Sequence, residues 1–260
     1  MKTFVLATDF TDSAAQATDY ALALADQLNA RLVIVHAYGK NGDDPTKFVS
    51  PPARLERVRE RLMRTSKGTV DISVVAKYGK PRTCIEALVA EEQADLLIMA
   101  LADERPYTAR FMGSLPTEMI SQTSVPMLIL PPGSQYKAVE TVVLAVDLSE
   151  PVDAVVMGRA KEFLIQLGAT VHIICMDNEP DQQRQEAAQR IGELFDGVLH
   201  TFSFQRGNDL TITLDDYITT HPANLIMMLP KHHSRLALWL EKSVTQQVVR
   251  QAIVPVLAIV

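Results

Sequence analysis

The sequence predicts an α/β fold made of two tandem five-stranded parallel-sheet sandwiches. Three observations carry that expectation: the chain repeats itself once in register, short apolar runs alternate with amphipathic helical patterns in each half, and a Pro-Gly-rich joint separates the halves. Phe4-Val5-Leu6-Ala7-Thr8-Asp9 matches Val142-Val143-Leu144-Ala145-Val146-Asp147. Leu28 to Ile34 matches Leu167 to Ile173, Ala94 to Met99 matches Ala223 to Met228, and Val125 to Ile129 matches Val254 to Ala258. Four matches in the same order imply duplication. The joint is Pro131-Pro132-Gly133-Ser134-Gln135-Tyr136, which ends the first half and sets domains at 1–135 and 138–260. Each is an ordinary domain size.

In the first half, Phe4 to Ala7 has the short apolar run of a buried parallel strand. Asp12 or Ser13 is placed to cap the helix that follows. Ala17, Ala21, Leu24 and Leu28 then recur at four, three and four residues, one apolar helical face. Leu32 to Val35 is the second strand, and Leu55, Val58 and Leu62 mark the second helix. Val70, Ile72 and Val74 alternate as a third strand, and Ile85, Leu88 and Val89 mark a third helix. Leu96 to Met99 is the fourth strand, Leu115, Met119 and Ile120 mark the fourth helix, and Met127 to Leu130 is the fifth strand. Strand–helix alternation implies parallel pairing with right-handed crossovers. Ligands of such sheets bind beyond the carboxyl ends of the strands, where the winding reverses.

Composition narrows the function classes. The chain has 260 residues, 47% hydrophobic and 22% charged, which describes a folded globular protein. Its net charge of -6 lacks the cationic excess that nucleic-acid or anionic-membrane binding needs. The negative excess sits in the second half, since residues 1–137 carry 16 basic against 16 acidic groups and 138–260 carry 9 against 15. Cys84 and Cys175 form no disulfide framework. The opening apolar run is too short for a signal-peptide core, and the run Leu96 to Ala102 is far below the ~20 residues of a membrane span. The expected location is the cytoplasm.

The loops after strands one and four carry the site expectation. Strand one ends at Thr8-Asp9-Phe10. Strand four ends at Met99-Ala100, followed by Asp103, then nine residues, then Gly113-Ser114 opening a helix. With the "ADLLIM" strand, "MGS" and "SVPMLILPP", the chain resembles the universal stress protein family along nearly its whole length, as two copies. That resemblance implies an adenine nucleotide alpha hydrolase-like, Rossmann-like fold. It also implies an adenine nucleotide, ATP or AMP, as the ligand.

Nucleotide-binding members carry Gly, two residues, Gly, nine residues, then Gly with Ser or Thr. Glycines let the backbone approach phosphates, and a helix N-terminus offers free N–H groups to the anion. The Asp after strand one holds the adenine side. Carried onto this chain, the nucleotide site comprises Thr8, Asp9, Met99, Ala100, Asp103, Gly113, Ser114 and Leu115. Ala100 and Asp103 replace two of the three glycines. A carboxylate about 4 Å from a phosphate charge repels it by roughly 4 kcal/mol at an effective dielectric near 20, about a thousandfold in affinity. Arg105 or Arg110 can offset this. In the second half Leu229, His232 and Lys242-Ser243 fall on the pattern, so no glycine of it remains; Asp147 survives after strand one, and the site is degenerate.

Bland readings stand beside the sharp ones. Asp9 and Asp147 are also strand-end carboxylates able to cap the next helix. Gly113-Ser114 is also an ordinary helix start. Lys231, His232, His233 and Arg235 form a basic cluster, but adjacent histidines point apart and no third ligand lies near, so no metal is expected. Arg54, Arg57, Arg59, Arg61 and Arg64 with Glu56 and Glu60 read as a salt-laced helix face, with Glu60 and Arg64 at the favourable spacing of four. The cysteines read as buried thiols.

No Gly-x-x-x-x-Gly-Lys-Ser/Thr loop or Gly-x-Ser-x-Gly elbow supports catalysis. The expected function is therefore a non-catalytic stress-response protein that binds an adenine nucleotide or another small anion weakly in its first half. The alternative is a ligand-free interaction module in which neither half binds ATP, and a third reading is nucleotide hydrolysis or phosphoryl transfer. The resemblance implies pairing of the halves through the fifth strands, Val125 to Leu130 and Val254 to Val260, with a second surface for a homodimer.

Overall fold

Phe4-Val5-Leu6 has no solvent-exposed surface and forms the middle of β1 (Lys2–Ala7) in the computed structural model. The structure describes residues 1–39, 50–66, 68–101, 115–120, 123–148, 151–207, 210–229 and 254–260. It divides into two compact units, Met1–Glu104 with Gln122–Tyr136, and Arg105–Ser121 with Lys137–Val260.

In the first unit β1 leads through α1 (Asp12–Gln27) to β2 (Ala30–Tyr38), then α2 (Pro51–Thr65), β3 (Ile72–Tyr78), α3 (Pro81–Glu91), β4 (Leu96–Ala100) and β5 (Met127–Leu130). The strands lie in the order β3-β2-β1-β4-β5, all parallel. Ala7 sits beside Val35 on one side and Met99 on the other. The apolar stripes fall where the periodicity places them: Ala17, Ala21 and Leu24 are buried on α1, Leu55 and Leu62 on α2, and Ile85, Leu88 and Val89 on α3. Prolines at the first positions of α2 and α3 start those helices, because their fixed φ suits the first turn and no N–H is wasted. The short α4 (Leu115–Ile120) lies within the residue range of the second unit.

The second unit repeats the plan. Its order β10-β9-β6-β7-β8 is again parallel throughout, built from β6 (Thr141–Val146), β7 (Thr170–Met176), β8 (His200–Gln205), β9 (Leu225–Met228) and β10 (Val256–Ala258). The helices α5 (Ala154–Leu167), α6 (Gln182–Leu194) and α7 (Leu210–Thr220) connect them. Val143, Ala145, Ile174, Leu214, Ile226 and Met228 form a core cluster on one face of this sheet.

The residue before the fourth strand of each unit stitches that strand to the first. Asp95 Oδ2 accepts from Thr3 N at 2.7 Å while Asp95 N donates to Thr3 O at 2.8 Å. Asn224 Oδ1 accepts from Glu140 N at 2.9 Å and Thr141 N at 3.1 Å, and Asn224 N donates to Thr141 O at 2.8 Å.

Three local expectations are corrected. Thr11, not Asp12 or Ser13, caps α1: its Oγ1 accepts from Ala14 N at 3.3 Å, while Ser13 is buried inside the helix. The third strand starts at Ile72, leaving Val70 buried just ahead of it, and β2 runs well past Val35 to Tyr38.

Candidate functional site

The first unit has one topological switch. The chain moves outward from β1 through β2 to β3, then returns to the other side of β1 for β4. The carboxyl ends of β1 and β4 are therefore neighbours whose chains depart in opposite directions, the position where open α/β sheets hold ligands. Thr8-Asp9 leaves one strand and Ala100-Leu101 the other, directly after the paired residues Ala7 and Met99.

The turn after β1 is tightly organised. Thr8 is buried; its N donates to Val35 O at 2.9 Å and its Oγ1 accepts from Phe10 N at 3.2 Å. Its carbonyl oxygen lies 2.7 Å from His36 Nδ1, and since a carbonyl only accepts, His36 donates through Nδ1. Asp9 is exposed, and its Oδ1 accepts from both Thr11 N at 3.0 Å and Thr11 Oγ1 at 2.6 Å. This is an Asx turn that holds the cap of α1. Asp9 thus supports the helix through Thr11 rather than capping it directly. Its Oδ2 makes no hydrogen bond with any described residue.

Phe10 follows with a left-handed φ of 63°, which is costly for a side chain with a Cβ. Its ring is held from two directions. The His36 ring lies 4.4 Å away at an interplanar angle of 45°, and the Arg54 guanidinium carbon sits 4.0 Å from the ring centroid. A cation over an aromatic face contributes about 0.5–1 kcal/mol at an exposed site.

On the β4 side, Met99 is buried, and Ala100 is half-buried as the last residue of the strand, beside Leu130 of β5. The left-handed non-glycine residues described are Phe10, Asn29 and Gln93, so Ala100 is not one of them. An alanine costs nothing in backbone strain there, and the absence of glycine at 100 imposes no conformational penalty. Leu115 opens α4 and is half-buried. Asp103, Gly113 and Ser114, together with Arg105 and Arg110, lie outside the described residues.

In the second unit Asp147 is half-buried after β6, and α5 is capped by Asp153, whose Oδ1 accepts from Val155 N at 2.8 Å and Val156 N at 3.3 Å. Leu229 is buried; Lys231, His232, His233, Arg235, Lys242 and Ser243 lie outside the described residues. Both cysteines are buried free thiols. Burial pushes the Cys175 thiol up to about 11, so it stays protonated. The arginine-rich α2 pairs differently from its spacing: Glu56 bonds Arg59 one turn on, with Nε at 2.7 Å, and Arg61 reaches Asp19 on α1. Among the described residues no group of three or more His, Cys, Asp or Glu side chains could hold a metal, and no helix is long and apolar enough to cross a membrane.

The sequence missed Thr11, His36, Phe10 and Arg54. An Asp followed two residues later by Thr is a recognisable turn signal, and it identifies Thr11. No local signal brings Arg54 to Phe10, because the contact spans a separate element.

Comparison with known proteins supplies the family context. The model of the universal stress protein family matches residues 1–131. A curated relative from Thermus aquaticus, described as a universal stress protein in the QAH/OAS sulfhydrylase 3' region, is 28% identical over 138 residues, covering 50% of this chain and 98% of its own. The crystal structure of a universal stress protein from Archaeoglobus fulgidus DSM 4304 superposes with a TM-score of 0.76 at 17% identity, over 99% of this chain and 95% of that one. A functionally unknown protein from Pseudomonas aeruginosa PAO1 superposes with a TM-score of 0.65 at 12% identity, over 100% and 92%. At these identities the structural likeness establishes the fold.

Proposed function

Because the chain belongs to the universal stress protein family, we propose that its first unit is a non-catalytic binding module for an adenine nucleotide, seated at the carboxyl ends of β1 and β4. The observation that carries this reading is Asp9. One carboxylate oxygen is committed to the Asx turn, while the other is exposed at the switch point with no described partner. Such an oxygen accepts only, so it suits the exocyclic amine of adenine or a ribose hydroxyl. The unstrained Ala100 also supports the reading, because it leaves the strand end as close to a ligand as a short side chain allows.

Asp103 sets the expected preference. In the loop that resembles a phosphate cradle it opposes a polyphosphate, so AMP binds at least as well as ATP. Ala100 needs no glycine, so Asp103→Gly alone raises ATP affinity, by up to about a thousandfold if the full charge repulsion is removed.

Calorimetric titration of the whole chain with AMP and ATP tests this. Asp9→Asn keeps the acceptor of the Asx turn but replaces the other oxygen by a donor. We expect AMP affinity to fall tenfold or more in that variant with little change in melting temperature. Equal binding by wild type and Asp9→Asn removes Asp9 from the site. No saturable binding of either nucleotide favours the interaction module without a ligand.

A further inference from the structure

The second unit contains a cavity of about 480 Å³ between the loop after β6 and helix α6. Leu148, Val152, Ala187, Ile191 and Leu194 form its apolar walls, and Gln183 and Arg190 are its polar groups. The volume lies in the range of small-molecule sites, roughly 300–1,000 Å³.

The two units can be laid on each other by their helix stops. The left-handed Asn29 after α1 corresponds to the left-handed Gly168 after α5, with buried Ala21 on Ala160 and Ala25 on Leu164. The left-handed Gly68 after α2 corresponds to Gly197 after α6, with buried Leu62 on Ile191. In that register Asp19 falls on Gly158, Arg54 on Gln183 and Arg61 on Arg190, while the strand match that sets Asp9 on Asp147 puts Phe10 on Leu148.

In the first unit these four side chains pair off in two contacts. The Arg54 guanidinium covers the Phe10 ring at 4.0 Å, and Arg61 forms an ion pair with Asp19 across to α1. In the second unit the ring has become Leu148, the covering arginine has become Gln183, and the acid has become Gly158. A Cβ built on Gly158 would meet nothing within 4 Å. Only the second arginine remains. Arg190 lines the cavity and forms no ion pair or hydrogen bond with any described residue.

We propose that this groove binds a small amphiphilic organic anion, with its acid group on Arg190 and its hydrocarbon body against Leu148, Ile191 and Leu194. A planar guanidinium pairs well with a carboxylate or sulfonate in two parallel hydrogen bonds. The apolar walls supply the remaining affinity and disfavour a hydrophilic anion such as inorganic phosphate. The anion takes the place that Asp19 holds in the first unit.

The test is a fluorescence titration of the full chain with 8-anilinonaphthalene-1-sulfonate, competed with decanoate and, separately, with decanol. Two variants act on the same cation by different routes. Arg190→Gln removes it, and Gly158→Asp rebuilds the intramolecular acid partner while replacing a glycine in a helix interior. We expect saturable displacement by decanoate in the wild type and at least tenfold weaker displacement in both variants, with decanol much weaker than decanoate throughout. Thermal melts establish that each variant is folded. Decanoate displacing the probe equally well from the wild type and both folded variants, or not displacing it from the wild type, overturns the proposal.

Discussion

Replacing Thr11 by alanine tests how the candidate site and the first helix depend on each other. The hydroxyl makes two bonds at once: it accepts from Ala14 N at 3.3 Å and donates to Asp9 Oδ1 at 2.6 Å. Loss of an N-cap side chain costs about 1 kcal/mol, within about 0.5–2, and loss of the second bond adds about 0.5–1 kcal/mol. The sum is about 1.5–2 kcal/mol. Thr11→Ser keeps both bonds and loses only a methyl group on an exposed residue, so it stays within about 0.5 kcal/mol of wild type.

Urea unfolding followed by circular dichroism measures the difference, and hydrogen exchange at the Ala14 amide localises it to the first turn of α1. Because Asp9 acts on the helix through Thr11, Asp9→Ala and Thr11→Ala together cost less than their sum. Equal stability of the Ala and Ser variants, or strict additivity in the double variant, would refute the coupling of turn and cap.

Two further outcomes follow from the second unit. Burial, with His221 beside it, holds the His172 imidazole below its ordinary value, and Tyr217 OH lies 3.1 Å from its Nδ1. The unfolded chain therefore takes up the proton first. The associated stability is present above about pH 6.5 and is lost as pH falls toward the lowered folded value. His172→Asn flattens that loss in urea midpoints measured between about pH 7.5 and 5.5, and identical losses in both proteins would count against it. For Cys175, a pKa near 11 together with burial makes the thiol inert. Iodoacetamide at about pH 8, read by peptide mass spectrometry, leaves Cys175 unmodified in the native chain and alkylates it in urea. Equal rates in the two conditions would contradict the buried assignment.

Much of the architecture was legible in the residues. A repeated apolar run, a repeated fourth strand and a repeated last strand were enough to place both five-stranded sets, and Met127 to Leu130 was bounded as the structure has it. Helix faces followed from spacing alone. What escaped was decided by partners distant in sequence. Glu60 and Arg64 had the favourable helical spacing, yet the bond formed is Glu56 to Arg59, and Arg61 turns instead to Asp19 on another helix. Arg54 looked like one charge of five until the fold brought Phe10 beneath it. The cap moved from Asp12 or Ser13 to Thr11 because Asp9 pins Thr11, an interaction that begins before the helix does. The groove in the second unit was hidden for the same reason. Gly158 in place of Asp19 is visible in the sequence, but its meaning depends on knowing which arginine the acid would have met.

The stitch between Thr3 and Asp95 spans 92 residues, and it joins the earliest strand of the chain to one made much later. At a synthesis rate of about 5–20 residues per second, one flank of Phe4-Val5-Leu6 waits roughly 5–20 seconds for its neighbour to leave the ribosome. The same delay recurs in the second unit, where Thr141 waits for Asn224. Each newborn sheet is therefore held open along its midline, so an unfinished chain offers that bare ribbon to chaperones, or to other nascent chains, until the stitch closes.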